Sequence, residues 1–253
     1  MSDKDIRYIR SGVCAIGYLK GEVKDFINNI NDFVIIGTGF LVRPTTVITN
    51  RHVIEALQQK QKELGFLNEQ RFLEFVYPIG KSKWQTVFCR FNYITVLVNQ
   101  DLDVGFIEFN RRPDSEFNQV SPLNLGDPLL VATGQPIGVI GYAYGTDLLS
   151  SEGDIVFDRF GPIFQQGYIS AVAPIDDISD PDKFLLDINC AGGMSGSPVF
   201  RKDDGAVIGL FHGGMGGMVG FAIPIDMKRV NSWLKAHDEN PYKQKLDLSN
   251  TNK

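Results

Sequence analysis

The sequence predicts an all-β fold, and three observations lead to that prediction. Short runs rich in β-branched and aromatic residues recur along the chain, as over 34–42 and 206–210. The 26 glycines and 12 prolines fall between such runs, without an internal repeat or a low-complexity tract. The 253 residues, of which 43% are hydrophobic, suffice to bury a sizeable core. We therefore expect a single β-rich unit over residues 1–253.

Three of the predicted strands lead to residues with possible catalytic chemistry. Two β-rich runs, separated by a turn at Pro44, end at His52. Asp103 stands at the entrance of a later strand, and a run over 184–187 leads through two glycines to Ser195. Each of these candidate residues is thus placed by a predicted strand.

Ser195 lies in a glycine-rich turn, which is informative about its chemistry. A serine flanked by glycines has an accessible hydroxyl and backbone N–H groups that are free to bind a developing oxyanion. An upstream histidine and aspartate would act as general base and as the group that orients the base, so the order His52, Asp103, Ser195 predicts a hydrolase. Two alternatives stay open: Ser197 as the nucleophile, and Asp101, on the same side of a strand as Asp103, as the orienting carboxylate.

Two helices are predicted outside the strands. Apolar residues at helical spacing within a polar stretch indicate a short surface helix over 54–64. Apolar residues at i, i+3 and i+4 from Val230 predict an amphipathic helix over about 226–237. The polar residues 238–253 are expected to form a frayed tail.

Several short segments of the chain are similar to motifs of one enzyme family. They are Gly37-Thr38-Gly39-Phe40, Thr49-Asn50-Arg51-His52, Asp103-Val104-Gly105, Gly167-Tyr168-Ile169-Ser170-Ala171, Gly192-Gly193-Met194-Ser195-Gly196-Ser197-Pro198-Val199-Phe200 and Gly220-Phe221-Ala222-Ile223-Pro224-Ile225-Asp226. Over about residues 10–235 the sequence resembles the chymotrypsin-like (trypsin-like) serine proteases, and among these the bacterial HtrA-type proteases and glutamyl endopeptidases. The small residue two positions after Asp103 matches the family pattern, which favours Asp103 over Asp101.

This resemblance implies two six-stranded antiparallel β-barrels followed by a C-terminal helix. The first barrel would use about residues 10–115 and the second about 125–225, with a polar linker between them. The active site would then lie in the crevice between the barrels, where ligand sites commonly occur. A PDZ domain, which HtrA proteins typically carry, is not expected within residues 1–253.

The resemblance also implies a serine endopeptidase that works through an acyl-enzyme. Ser195 would be the nucleophile, His52 the general base and Asp103 the orienting carboxylate, with the N–H groups of Gly193 and Ser195 as the oxyanion hole. No metal or organic cofactor is implied. Met194 stands where many relatives have Asn or Asp, so activation by pairing a freed N-terminus with a carboxylate at this position is not expected.

The resemblance places the walls of the substrate pocket in three segments, 189–192, 211–214 and 219–221. The expected pocket residues of the first two are Asn189, Cys190, Ala191, Gly192, Phe211, His212, Gly213 and Gly214. Neither a carboxylate nor a lysine occurs among them, so Lys or Arg should be a poor residue before the scissile bond, and an uncharged or acidic residue is expected. His212 has two possible positions, in this pocket or near Asp103.

Charge and cysteine content restrict the partners and the compartment. The net charge of −5, without a basic block, disfavours nucleic acids and anionic membranes as partners. A protein or peptide substrate is expected, with possible control by a regulatory protein. The three cysteines do not suggest a disulfide framework, and no signal peptide is apparent, so a cytoplasmic location is expected. The alternative functions are a catalytically silent binding module or scaffold on a protease fold, and a general esterase.

Overall fold

The computed structural model describes residues 3–21, 23, 32–79, 83–96, 102–110, 120–145, 161–174, 179–215, 219–238 and 244–245. The three helices found there are α1 (Asp3–Ser11), α2 (Arg51–Leu64) and α3 (Met227–Asp238). The strands are β1 (Val13–Leu19), β2 (Phe33–Arg43), β3 (Thr46–Thr49), β4 (Arg71–Ile79), β5 (Lys83–Val96), β6 (Gly105–Phe109), β7 (Pro136–Gly141), β8 (Ile163–Ala173), β9 (Lys183–Asp187), β10 (Pro198–Arg201), β11 (Val207–Met215), β12 (Val219–Pro224) and β13 (Gln244–Lys245).

The strands form two antiparallel barrels, one after the other along the chain. In the first, the order is β5-β4-β1-β2-β3-β6, and pairing between β5 and β6 joins the two ends; β13 adds to the outer edge of β5. The second is a closed barrel with the order β10-β11-β12-β9-β8-β7. The predicted all-β fold of two six-stranded barrels is therefore confirmed.

The two barrels share an apolar core. One cluster of buried side chains contains Phe40 and Phe106 from the first barrel together with Ile140 and Phe200 from the second. Each barrel also has an interior cluster of its own. Burial of apolar surface between the barrels therefore fixes how the segments with His52 and Asp103 face the segment with Ser195.

The helices differ from the sequence-based expectation at the N-terminal side. Helix α1 precedes the first strand and was not predicted; its residue Ile9 is buried in the core shared by the barrels. Helix α2 begins at Arg51 rather than at residue 54, which places His52 in its first turn. Helix α3 lies within one residue of the predicted bounds at each end. The Asp101 alternative and most of the predicted linker and tail lie outside the described residues.

Candidate active site

Thr38 of β2 connects the first barrel to the turn that carries Ser195. Its backbone N–H donates to the carbonyl oxygen of Ser195 at 2.9 Å, and its hydroxyl donates to the carbonyl oxygen of Gly193 at 2.7 Å. The same hydroxyl accepts from the N–H of Tyr142 at 2.9 Å, and Thr49 donates to the Thr38 carbonyl oxygen at 2.7 Å. Thr38 is fully buried, so these bonds are shielded from water. In the sequence, Thr38 is visible only as part of a motif, so its bonds to the Ser195 turn were not predicted.

Two glycines give the Ser195 turn its shape. Gly193 and Gly196 have φ angles of 85° and 89°, in the left-handed region that favours glycine. A Cβ at Gly193 would lie 2.2 Å from the carbonyl oxygen of Tyr142, and one at Gly196 would lie 1.9 Å from that of Thr38. The backbone on both sides of Ser195 therefore excludes any other residue type.

The two candidate nucleophiles have different surroundings. Ser195 is half-buried, and its hydroxyl donates to the carbonyl oxygen of His212 at 3.4 Å, which is a long hydrogen bond. Ser197 is fully buried, and its hydroxyl donates to the carbonyl oxygen of Met194 at 2.6 Å. The Ser195 hydroxyl is thus accessible and weakly held, whereas the Ser197 hydroxyl is buried and makes a short hydrogen bond within the turn.

The turn also presents backbone donors. Within the described part of the chain, the N–H groups of Gly193 and Ser195 donate to no protein acceptor. Free backbone N–H groups on neighbouring residues can bind a negatively charged oxygen. The geometry is therefore compatible with the predicted oxyanion hole.

Asp103 is held at the start of helix α2. Its Oδ1 accepts from the backbone N–H of His52 at 2.9 Å, and its carbonyl oxygen accepts from the side chain of Asn50 at 3.0 Å. The first N–H groups of a helix have no partner within the helix and carry partial positive charge, so they favour a carboxylate at this position. Asp103 therefore caps α2 and is fixed beside the His52 side chain.

Two imidazole rings contact the same oxygen of this carboxylate. Nδ1 of His52 lies 2.6 Å from Oδ2 of Asp103, and Nδ1 of His212 lies 2.7 Å from the same atom. An ionised carboxylate can only accept hydrogen bonds, so both rings carry a proton on Nδ1. The ring centroids of the two histidines are 5.8 Å apart. Of the two positions considered for His212, the structure gives the one near Asp103.

A β-bulge gives His212 this direction. The register between β11 and β12 shifts between Phe211 and Gly213, so His212 is the extra residue on its strand. A bulge re-aims a side chain relative to regular alternation and is frequent next to active sites. His212 thereby points at Asp103 from the second barrel, while His52 contacts it from the first.

Hydrogen bonding changes the pKa of the Asp103 carboxyl group. Burial raises this pKa, but the hydrogen bonds from His212 and His52 outweigh burial and hold it well below its ordinary value of 3.8. The ionised form is therefore the stable one in the folded protein. Its side chain is 13% exposed, against 43% for His52 and 37% for His212.

The lowered pKa predicts an acid-dependent loss of stability. A carboxyl group whose pKa is lower in the folded state stabilises the fold above its unfolded pKa, and that contribution is lost as the pH falls through the folded pKa. The difference in free energy of unfolding between the wild type and Asp103→Asn should thus decrease as the pH is lowered below about 4. Urea unfolding of both proteins at several pH values measures it; a difference that does not change with pH would contradict the assignment.

A family model and a solved structure match this chain. The model of the trypsin-like peptidase domain matches residues 37–210, more than half of the chain. The chain belongs to the trypsin-like peptidase family. A solved structure with a similar fold is that of Rv3671c from M. tuberculosis, a serine-to-alanine mutant in an inactive form. It has a TM-score of 0.56 and 17% sequence identity, and the match covers 95% of this chain and 93% of that chain. No curated protein matches the sequence.

In this trypsin-like peptidase, apolar packing in the interior of the second barrel anchors the Ser195 turn. Met194 is buried in the interior cluster of the second barrel, and its sulfur accepts from the side-chain amide of Gln165 at 3.3 Å. A carboxylate at this position would instead need a cationic partner. The side chain before Ser195 is therefore anchored without an ion pair.

The distances at Asp103 are those of hydrogen bonds. His52, Asp103 and His212 are residue types that bind metal ions, and their candidate ligand atoms lie within 4.8 Å of one another. Ligand atoms of one tetrahedral zinc ion, each about 2.0–2.2 Å from the metal, lie roughly 3.3–3.6 Å apart. The contacts of 2.6 and 2.7 Å are shorter than this, so the three side chains have the spacing of a hydrogen-bonded group.

The predicted pocket residues do not all face one space. Asn189 lines a cavity of about 510 Å³, formed mainly by residues of β8 and by Asp187 and Ile188. Phe211 is buried in the interior of the second barrel, and His212 is held by Asp103. The remaining predicted pocket residues form two short segments, one before Ser195 in the sequence at 190–192 and one after it at 213–214.

The helices α1, α2 and α3 have 9, 14 and 12 residues. Within the part of the chain that the structure describes, none of them combines the length and the apolar character that a membrane crossing requires.

Proposed function

We propose that this peptidase is a serine endopeptidase with Ser195 as nucleophile, His52 as general base and Asp103 as the orienting carboxylate. The observation that carries the proposal is the contact of 2.6 Å between the His52 ring and Asp103, in the same site as a half-buried serine with free backbone donors. Neither a binding module nor a structural role requires this combination.

The reaction would proceed in two stages. Oγ of Ser195 attacks the carbonyl carbon of the peptide bond while its proton passes to Nε2 of His52. The resulting oxyanion accepts hydrogen bonds from the N–H groups of Gly193 and Ser195, each worth roughly 3–4 kcal/mol in the transition state. His52 then donates the proton to the leaving amine, and water hydrolyses the acyl-enzyme by the reverse sequence of proton transfers.

Asp103 supports this cycle through its hydrogen bond to Nδ1 of His52. That bond keeps the proton on Nδ1, leaves Nε2 free to accept, and stabilises the imidazolium that forms. Among the hydrogen bonds of the described residues, the one from the Ser195 hydroxyl is to His212 and not to His52. Catalytic hydrogen bonds are often long or poorly aligned without substrate and tighten in the complex, so this geometry is compatible with the proposal.

A fluorophosphonate probe tests the proposal directly. The probe forms a covalent bond with an activated serine, and peptide mapping should find it on Ser195 because this hydroxyl is accessible and lies in the same site as His52. Ser195→Ala and His52→Ala should abolish labelling, whereas Ser170→Ala, which changes an exposed serine of β8, should not. Labelling at Ser197 would contradict the mechanism. A folded protein without any labelling would instead favour the alternative of a silent binding module.

A further inference from the structure

Cys190 occupies a depression beside Ser195. Gly214 and Gly220 are cross-strand partners in β11 and β12, so the hairpin has two neighbouring positions without side chains. Sγ of Cys190 lies 2.2 Å from where a Cβ on Gly214 would be and 3.4 Å from the corresponding point on Gly220. The thiol therefore fills space that side chains at these two glycines would otherwise take.

The depression lies next to the reacting serine. The segment that contains Cys190 leads into the Ser195 turn, where the N–H of Met194 donates to the carbonyl oxygen of Ala191 at 3.3 Å. On the other side, the residue before Gly213 is His212, whose carbonyl oxygen accepts from the Ser195 hydroxyl. Both segments belong to the predicted pocket walls, so the substrate side chain one carbon away from the attacked carbonyl is expected between them.

The side chains that the structure describes next to the thiol are uncharged and apolar. A Cβ on Gly220 would lie 2.9 Å from the Phe211 ring and 3.1 Å from the Ile188 side chain, so the thiol lies close to two apolar side chains of the barrel interior. Burial raises the pKa of the Cys190 thiol, which donates to the carbonyl oxygen of Ile188 at 3.6 Å and stays neutral. His212, the nearest imidazole along the chain, is engaged by Asp103. Among these described neighbours, a charged substrate side chain would find no group of opposite charge.

We propose that Cys190 restricts the residue before the scissile bond to small uncharged side chains, such as alanine or serine. This inference rests on the proposed function and names the substrate class of that same site. It narrows the expectation of an uncharged or acidic residue, because His212 contacts Asp103 and the thiol fills the space beside Gly214 and Gly220.

Removal of the Cys190 side chain should allow larger side chains before the scissile bond. We expect the wild type to cleave a peptide with alanine before the scissile bond faster than matched peptides with valine, leucine or phenylalanine there. In Cys190→Gly the ratio of kcat/KM for leucine over alanine should rise by about 10-fold or more, since each methylene admitted to a pocket changes discrimination by roughly this factor. Cys190→Ala should shift the ratio in the same direction, and it serves as a second variant if the glycine variant does not fold.

Two controls separate size from other effects. Cys190→Ser keeps one heavy atom at the γ position but replaces sulfur by the smaller oxygen, so it should shift the ratio less than Cys190→Ala and Cys190→Gly do. Cys89→Ser changes the other partly exposed cysteine, in β5 of the first barrel, and should keep the wild-type ratio. A wild-type preference for leucine, phenylalanine or a charged residue, or an unchanged ratio in both Cys190→Gly and Cys190→Ala, would overturn the proposal.

Thiol alkylation gives a readout that does not depend on turnover. A peptidyl phosphonate with alanine at the reacting position, once bonded to Ser195, should protect Cys190 from iodoacetamide and leave the alkylation of Cys89 unchanged, as measured by mass spectrometry. Reaction of the phosphonate without protection of Cys190 would overturn this proposal alone. Failure of every substrate and phosphonate to react with the folded wild type would overturn the proposed function, and this inference with it.

Discussion

Replacement of Ser195 by alanine should lower kcat for a peptide substrate by about 10⁶-fold and leave the fold unchanged, as removal of the nucleophile does in comparable triads. The reason is local. The Ser195 hydroxyl makes one long hydrogen bond, of 3.4 Å, and the residue is half-buried, so its loss should affect the structure little. Loss of the hydroxyl removes the atom that forms the acyl-enzyme.

The measurement is peptide cleavage followed by chromatography, together with a thermal unfolding curve for each protein. Ser170→Ala provides the matched control, since it removes the hydroxyl of an exposed serine on β8. It should retain wild-type turnover. A loss of less than about 100-fold in Ser195→Ala, in a preparation free of other peptidases, would contradict covalent catalysis by this residue.

Asp103→Asn should lower kcat by about 10⁴-fold. Oδ2 of Asp103 accepts from two imidazole rings and Oδ1 accepts from a backbone N–H. An asparagine has one oxygen and one NH₂ group in place of these oxygens. In one orientation the NH₂ group faces the two rings and favours the wrong tautomer of His52; in the other it faces the backbone N–H of α2.

Asp101→Asn is the control for this prediction, because Asp101 is the carboxylate that sequence alternation could not exclude. It should retain activity. Circular dichroism should report an intact fold for both variants, so that the loss in kcat can be assigned to the histidine. A loss in Asp101→Asn with normal turnover in Asp103→Asn would show that the assignment of the orienting carboxylate is wrong.

The all-β fold and the segments of the site could be predicted from the sequence because their signals are local. β-Rich runs, glycines at a turn and the order of His52, Asp103 and Ser195 are all visible in short windows. The two glycines of the Ser195 turn have positive φ angles, which is the reason that the turn can be read from residue types alone.

Other features depend on contacts between distant parts of the chain. Thr38 meets Gly193 across 155 residues, and no pattern around residue 38 indicates that partner. The direction of His212 depends on a bulge between Phe211 and Gly213, whereas alternation alone assumes a regular strand. Helix α1 was missed because the segment over 3–11 is short and mostly polar, and its buried Ile9 packs against strands that come later in the sequence.

The hydrogen bonds of Thr38 also have a consequence for the control of this peptidase. Ser195 belongs to the second barrel, yet the carbonyl groups on either side of Met194 are held by a residue of the first. The conformation of the turn is therefore set by the docking of the two barrels and not by the second barrel alone. A protein or ligand that separates the barrels would therefore remove the hydrogen bonds that hold this turn, while binding at a surface distant from Ser195.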